Sequence, residues 1–465
     1  NEFDANINGR LYPGKGKEEN RHLHIAQEVL LGIGGIRMLE EQGYHSIERI
    51  HLNEGHAALA PLELMHKMAE QATRDMTVYT THTPVPAGID AFDAGDAHYI
   101  LPKTFGDGRE IGRLTHSSGL HMMKLAMALS GKSNAVSELH RDVSQALFSD
   151  FPNMSNLRYV DNGVHLPTWT APNIQVLYDR ISPGWREHPR TLETALLDLT
   201  PEEVLGAHAI PKARLGEFID DNLGHRVRGY NHFDPEKLTI GFARRFATYK
   251  QANLVFEHLD RVKELGKDVQ IVFAGKAHPT DDGGKGVIKD VFKYMKELQE
   301  HMSIWFIEDY DMDMARFMVQ GVDVWLNTPQ QYEEASGTSG MKAAINFVPQ
   351  LSIIDGWWTR DQQREGYRHP KGLVEGVTGW GIGNDPSMEH FKRVNADWSL
   401  RERMRVDNAR DLIEKIGGVI VPLFKGDKKG WADVGKHAAA LNGSYYNSHR
   451  MLDEYWKLYD LGHGL

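Results

Sequence analysis

The chain has 465 residues, 41% hydrophobic and 25% charged, with a formal net charge of −11 and no cysteine. These values are typical of a globular protein with two or three domains. The acidic balance disfavours a nucleic-acid or anionic-membrane surface, and the lack of cysteine excludes disulfides, thiolate nucleophiles and cysteine metal sites. Residues 1–4 lack a signal-peptide pattern and no apolar run approaches 18 residues, so we expect a cytoplasmic protein without a membrane partner.

In the first third of the chain, short apolar strands alternate with longer helical patterns. The predicted strands are 47–52, 77–80 and 158–162. The predicted helices are 22–42, 56–74, 114–129 and 136–148. This alternation indicates a parallel sheet covered by helices, and we assign residues 1–165 to a first Rossmann-like domain.

The next segment, residues 166–236, has helical pieces interrupted by prolines and no clear strand, which predicts an interdomain connection. A second α/β series follows, and we assign residues 237–440 to a second Rossmann-like domain. Its predicted strands are 238–242, 269–273, 303–306, 322–326 and 351–354, and its predicted helices are 251–265, 286–301 and 312–319. The tail 441–465 includes an aromatic-rich amphipathic helix at 444–458, predicted to pack back on the domains. The fold class is therefore α/β, with two doubly wound domains whose ligands are expected between the carboxyl ends of their strands.

The segment Glu334 to Lys342 passes from an acid through a small-residue turn into a predicted helix at 341–347. A helix that follows a glycine-rich turn presents backbone N–H groups to an anion, and Lys342 lies one helical turn after Thr338. A lysine in an apolar pocket can lose its proton and form a Schiff base, so a lysine beside a phosphate seat suits pyridoxal phosphate. A surface loop that ends in a solvated lysine is the alternative.

Basic residues follow the predicted strand 238–242: Arg244, Arg245 and Lys250. Three cations at the end of a strand suit phosphate binding, although a solvated loop has the same composition. Asn162 also follows a strand, where its amide suits either a sugar hydroxyl or an Asn-Gly turn. Trp357 and Trp358 suit either sugar-stacking faces or the core.

Histidines also stand near strand ends. His56 and His82 lie in loops that suit a structural or a catalytic role. The pairs His22/His24 and His51/His56 lack supporting Asp or Cys at ligand spacing, so the sequence predicts no metal site.

The string Glu-Ala-Ser-Gly-Thr-Ser-Gly-Met-Lys at residues 334–342 resembles the cofactor-lysine motif of the α-glucan phosphorylases, which act on glycogen, starch or maltodextrin. The wider run 322–358 is similar to the shorter bacterial and archaeal branch. The other matching segments, in chain order, are Tyr12 with 28–40, 52–56, 81–86, 161–169, 244–250, 273–279 and 308–316. The fold implied is two Rossmann-like domains flanking a cleft, known as GT-B.

The resemblance implies reversible phosphorolysis of a terminal α-1,4-linked glucose to give α-glucose 1-phosphate. The implied cofactor is pyridoxal 5'-phosphate, whose phosphate group does the chemical work. The implied partners are an α-1,4-glucan or maltodextrin and inorganic phosphate or glucose 1-phosphate, together with a possible homo-oligomer. The residues matched to the cofactor are Lys342 as the Schiff-base lysine, Thr338, Ser339 and Arg244 at its phosphate, and Tyr310 nearby. Those matched to substrate are Arg245 and Lys250 for phosphate, and Glu334, Ser336, Gly337, Asn162, His82 and His56 for glucan.

The family also carries a glycine-rich loop, N-terminal to the residues of this chain, that helps to bind both phosphates. We therefore expect the first domain to lack its opening strands. Two alternative functions follow: a nucleotide-sugar-dependent glucan synthase of the same architecture, and a catalytically incomplete glucan-binding fragment.

Overall fold

A computed structural model describes residues 18–101, 108–360, 363–364 and 368–460, so Tyr12 lies outside the described residues. The chain divides into two compact units, unit 1 (residues 1–161 with 454–465) and unit 2 (residues 162–453). The last described helix, Ser448–Tyr459, begins in unit 2 and ends in unit 1. Among the described residues, no helix combines the length and the apolar character needed to cross a membrane.

Unit 1 contains a four-stranded parallel sheet in the order β1-β2-β5-β6. These strands are β1 (Ile50–Asn53), β2 (Thr77–Thr80), β5 (Lys132–Ala135) and β6 (Arg158–Tyr159), and a separate antiparallel pair is formed by β3 (Ala91–Phe92) and β4 (Leu120–His121). The helices are Glu18–Val29, Gly35–Glu41, Leu59–Met65, Glu70–Met76, Ala94–Ile100, Arg109–Thr115, Met122–Leu129 and Glu138–Leu147.

The prediction for unit 1 was wrong at several places, and the helix predicted at 56–74 is two helices, Leu59–Met65 and Glu70–Met76. Strand β5 was missed because its sequence, Lys-Ser-Asn-Ala, is polar and does not resemble a buried strand. Asn134 is fully buried there and its Oδ1 accepts a hydrogen bond from Thr80 Oγ1 (2.8 Å), so a polar network replaces apolar packing. The predicted helix 114–129 is interrupted by β4.

Unit 2 is built on a seven-stranded sheet in the order β13-β12-β11-β8-β9-β10-β7. The strands are β7 (Val227–Arg228), β8 (Leu238–Ala243), β9 (Val269–Ala274), β10 (Ser303–Ile307), β11 (Val324–Asn327), β12 (Gln350–Ile353) and β13 (Gly379–Ile382). All pairs are parallel except β10 with β7. The six parallel strands follow the order of a doubly wound sheet: β9 and β10 are added on one side of β8, and β11, β12 and β13 are added on the other side, so the strand order reverses between β8 and β11.

Helices cover the seven-stranded sheet, whose parallel strands are buried along their whole length. They are Leu166–Trp169, Pro172–Ile181, Leu192–Ala195, Pro201–Asp221, Leu259–Leu265, Asp282–Leu298, Met312–Gly321, Thr338–Ala344, Met388–Ala396, Trp398–Lys415, Val421–Gly426 and Lys428–His437. The segment 166–236, for which no strand was predicted, lies in unit 2 and contributes the short edge strand β7.

A buried charge cluster joins the helix Pro201–Asp221 to the amino ends of β8 and β11. Asp323 accepts hydrogen bonds from Lys212 Nζ (2.7 Å) and from the backbone N–H of Thr239 (2.8 Å), and it lies 3.3 Å from His208 Nε2. Burial opposes ionisation of Asp323, but Lys212 and His208 hold its pKa below the ordinary value. The carboxylate is therefore ionised in the interior and depends on these partners.

We predict that Lys212→Met lowers the free energy of unfolding by about 3–5 kcal/mol, because it leaves a buried carboxylate without its cation. Chemical denaturation followed by tryptophan fluorescence measures the change. The control is Asp260→Asn, which removes an exposed partner of Lys263 and should leave stability unchanged. Equal stability of the Lys212 variant and the parent would contradict the proposed role of the pair.

Candidate functional site

The carboxyl ends of β8 and β11 bring the basic segment and the lysine motif together in unit 2. The two strands pair at Ile240 with Val324 and at Gly241 with Trp325. Arg244 follows β8, and its Nη1 donates a hydrogen bond to Oδ1 of Asn327, the last residue of β11. The connection after β8 leads to β9 on one side of the sheet, and the connection after β11 leads to β12 on the other side. Because these two connections diverge, a crevice for ligands forms between them at the carboxyl ends of the strands.

Glu334 is the centre of this cluster. Its Oε2 accepts hydrogen bonds from Arg244 Nη2 (2.6 Å) and Lys250 Nζ (2.8 Å), and the residue is 8% exposed. Burial would raise the pKa of Glu334, but Arg244 and Lys250 lower it to about 2. Glu334 is therefore an ionised acceptor at neutral pH and not a proton donor.

Asp355, which sequence reasoning did not assign to the site, holds the beginning of the motif. Its two carboxyl oxygens accept the backbone N–H groups of Glu334 (2.9 Å) and Gly356 (2.8 Å). Burial raises its pKa to about 8, and the negative charge of Glu334 acts in the same direction. The only signal in the sequence was an Asp-Gly pair directly after a buried strand.

The turn Ser336–Gly337 is fixed by Trp357. The backbone N–H of Trp357 donates to Ser336 O (3.1 Å), and its indole Nε1 donates to Gly337 O (3.0 Å). Gly337 has a φ of 91°, a left-handed conformation that suits glycine. Trp357 and Trp358 are each 1% exposed, so they belong to the core and do not offer sugar-stacking faces.

The motif helix is Thr338–Ala344, which begins three residues before the predicted start at 341 because Gly337 already turns the chain. Ser339 Oγ accepts a hydrogen bond from Trp325 Nε1 (3.2 Å). Ser336 Oγ is buried and has no hydrogen-bond partner among the described residues. The small residues therefore bring the turn against β11 and leave one buried polar atom available.

Lys342 lies on this helix, partly buried, with Nζ 3.8 Å from the ring centroid of Trp169. Asn346 positions both residues, because its Nδ2 donates to Lys342 O (2.9 Å) and to Trp169 O (2.9 Å). In the described parts of the chain, no carboxylate lies within 4.0 Å of Lys342 Nζ. Burial lowers the pKa of Lys342, so its neutral, nucleophilic form is favoured relative to an exposed lysine.

The remaining predicted residues of unit 2 differ in their surroundings. Arg245 is exposed and forms no ion pair with another described residue. Burial raises the pKa of Tyr310 to about 12, although the charge of Arg244 opposes the change. Asn162 is fixed through its backbone, since its carbonyl accepts a hydrogen bond from Arg450 Nη2 (2.7 Å).

His56 and His82 lie in unit 1. The His82 loop is held by Glu54, whose Oε2 accepts the backbone N–H of His82 (2.7 Å) and the hydroxyl of Thr83 (2.9 Å). Glu54 has a φ of 68° and a ψ of 176°, a strained conformation for a residue other than glycine. Asp90 and Glu28 raise the pKa of His56 to about 10. Sequence reasoning missed Glu54, which gives no signal beyond its place after β1.

Comparison with known proteins agrees with the motif. The family described as carbohydrate phosphorylase matches residues 110–358. The maltodextrin phosphorylase of Thermococcus litoralis is 35% identical over 93% of this chain and 53% of its own length. The glycogen phosphorylase of Mycobacterium tuberculosis is 32% identical, with 99% of this chain and 56% of the relative aligned. The glycogen phosphorylase of Aquifex aeolicus is 32% identical, with 97% of this chain and 67% of the relative aligned.

The chain thus spans little more than half the length of the first two relatives. The matched family region includes β8, β11, the basic segment and Lys342, which are the parts that form the cluster in unit 2. Because the family matches residues 110–358 and the relatives align with nearly all of this chain, the chain belongs to the carbohydrate phosphorylase family.

Proposed function

We propose that the chain carries an α-glucan phosphorylase site that uses pyridoxal 5'-phosphate bound to Lys342. The reaction is reversible phosphorolysis of a terminal α-1,4-linked glucose, giving α-glucose 1-phosphate. The observation that carries the proposal is the partly buried Lys342, without a carboxylate partner in the described chain, on the motif that also brings Glu334 to Arg244 and Lys250.

The donor set suits pyridoxal phosphate. Covalent attachment to an aldehyde requires a neutral amine, and burial favours that form of Lys342. A phosphate requires N–H donors and cations, which the backbone N–H groups of Thr338 and Ser339 at the start of the helix and the guanidinium of Arg244 supply. The buried Ser336 Oγ offers a further donor. When bound, the cofactor supplies a second phosphate group that exchanges a proton with the substrate phosphate.

The protein itself provides charge and orientation. Arg244, Arg245 and Lys250 neutralise phosphate groups brought close together, which would otherwise repel each other. In the proposed step, a phosphate oxygen bonds to the anomeric carbon while the glycosidic bond breaks and its oxygen takes a proton.

Glu334 does not supply that proton, because its pKa is about 2. Its carboxylate suits instead the acceptance of hydrogen bonds from glucosyl hydroxyls, with Asp355 fixing its backbone. This differs from the usual glycoside hydrolase, in which a carboxyl group of raised pKa is the acid. The proton therefore comes from a phosphate in our proposal.

The test of the function is phosphate-dependent release of glucose 1-phosphate from maltodextrin by the purified chain loaded with pyridoxal phosphate. We expect release that requires both phosphate and glucan. Nucleotide release from a nucleotide sugar would support the synthase alternative, and glucan binding without turnover would support the binding-fragment alternative.

We predict that Lys342→Ala abolishes cofactor attachment and reduces phosphorolysis to background. Borohydride reduction followed by peptide mass spectrometry should place a pyridoxyl group on the peptide that carries Lys342 in the parent protein. The matched control is Lys289→Ala, an exposed lysine of the helix Asp282–Leu298, which should change neither readout. A pyridoxyl group on another lysine, with activity retained in the Lys342 variant, would contradict the assignment.

We predict that Arg245→Ala lowers kcat/KM for phosphate by about 100-fold, because it removes one cation from the charge that develops during transfer. Stability should change little, since Arg245 is exposed. Initial rates at varied phosphate measure the effect, and Arg261→Ala, which removes an exposed partner of Glu414, is the control. An unchanged phosphate dependence would exclude Arg245 from the phosphate site.

The lowered pKa of Lys342 gives a pH prediction. A lower pKa leaves a larger neutral fraction at any pH below the ordinary lysine value, so attachment at Lys342 should reach its half-maximal rate at a lower pH than attachment at exposed lysines. Timed borohydride trapping from pH 6 to 10, resolved by peptide, measures both in one sample. Coinciding pH profiles would show that burial does not activate this lysine.

A further inference from the structure

Two histidines and two carboxylates converge in unit 1, apart from the lysine motif. His24 and Glu28 lie one turn apart on the helix Glu18–Val29. His56 lies in the short 3-10 turn Gly55–Ala57 after β1, and Asp90 immediately precedes β3. One ligand atom from each residue lies within 4.8 Å of the other three. Three separate segments of the chain therefore meet through metal-ligating side chains.

The distances between the histidine nitrogens and the carboxylate oxygens are close to, and mostly slightly longer than, those of a coordination shell. His24 Nε2 lies 3.7 Å from Glu28 Oε1 and 3.7 Å from Asp90 Oδ2. His56 Nδ1 lies 3.7 Å from Glu28 Oε1 and 3.3 Å from Asp90 Oδ2. Ligands bound about 2.0–2.1 Å from a tetrahedral zinc ion are about 3.3–3.4 Å apart, so small side-chain movements would complete such a site.

We propose that His24, Glu28, His56 and Asp90 bind a divalent transition-metal ion, with zinc as the first candidate. Imidazole nitrogen and carboxylate oxygen are both ordinary zinc ligands. The two carboxylates supply negative charge that favours a divalent ion over a neutral ligand.

Burial and ring packing support the assignment. His24, Glu28 and Asp90 are 6%, 2% and 8% exposed, so these side chains are largely removed from water, where an ion bound between them would interact strongly with the carboxylates. The ring of His24 packs edge-on against Phe92, with centroids 5.5 Å apart, which orients Nε2 towards Glu28 and Asp90.

The proposed ion has a structural role. It fastens the helix Glu18–Val29 to the segment after β1 that holds Glu54 and, through Glu54, the His82 loop. It also assigns His56 to a metal in place of the glucan-binding role implied by the family resemblance. The inference is independent of the proposed function, since it uses none of the residues around Lys342.

The competing arrangement is a histidinium–carboxylate network, in which a proton on His56 balances the carboxylates. Stoichiometric metal binding distinguishes the two. The purified chain, without a polyhistidine tag, is stripped with a chelator and titrated with zinc by calorimetry, and bound zinc is counted by mass spectrometry. We expect one equivalent of zinc, and a thermal midpoint that rises by several degrees and falls again on chelation.

Variants locate the ion. His24→Gln and Glu28→Gln should each weaken zinc binding by about 100-fold or more, as loss of a direct ligand should exceed the effect of losing an outer contact. The matched control is His22→Gln on the same helix, whose ring contacts Asp96 (2.9 Å) outside the cluster. Asp90→Asn is a third test if either helix variant fails to fold. The absorption of bound cobalt in the visible range should show the bands of a tetrahedral site.

Two results would overturn the proposal. One is the absence of stoichiometric zinc binding by the natively folded chain, which would favour the histidinium network over a metal site. The other is equal zinc affinity in the parent, the His24 variant and the Glu28 variant, which would show that zinc binds to other histidines on the surface.

Discussion

The pairing of β8 with β11 is the constraint on which the arrangement of unit 2 depends. At the amino end of this junction, Asp323 accepts the backbone N–H of Thr239, 84 residues away in sequence. At the carboxyl end, Arg244 contacts Asn327 and reaches Glu334. Charged residues therefore close both ends of one strand pair, with a buried apolar core between them. The first contact stabilises the sheet, and the second places a cation beside the lysine motif.

In the proposed site, the pairing of two cations with Glu334 links the binding of phosphate to the binding of sugar. Arg244 and Lys250 both donate to one oxygen of Glu334, so an incoming phosphate competes with that carboxylate for the same cations. An ionised Glu334 that loses part of this pairing requires other donors, which sugar hydroxyls provide. Phosphate and sugar would therefore favour each other's binding, a coupling that requires no movement of the backbone.

The sequence was sufficient to predict the structure where a segment is buried on both faces or where its local geometry depends on its own residues. Strands such as β8 and β9 are buried on both faces and have uninterrupted apolar sequences, and the turn before Lys342 follows from its glycines. It was insufficient where a polar residue acts across the fold. Asp355, Asn346 and Glu54 each bind backbone groups that only the tertiary structure brings near. The same holds for the residues that lie near His24. Glu28 lies one helical turn away, whereas His56 and Asp90 follow later strands, so the histidine pairs alone did not indicate a metal site.

The strand order also has a consequence for synthesis on the ribosome. β8 is the first of the six parallel strands to be made, yet it occupies the middle of the sheet, and one of its edges pairs with β9 soon afterwards. The other edge has no strand to pair with until β11 has been translated. A nascent chain therefore exposes an apolar, unpaired strand edge for the time taken to make the intervening residues, which is when aggregation is favoured. Slow codons or a stall between β9 and β11 would lengthen that exposure.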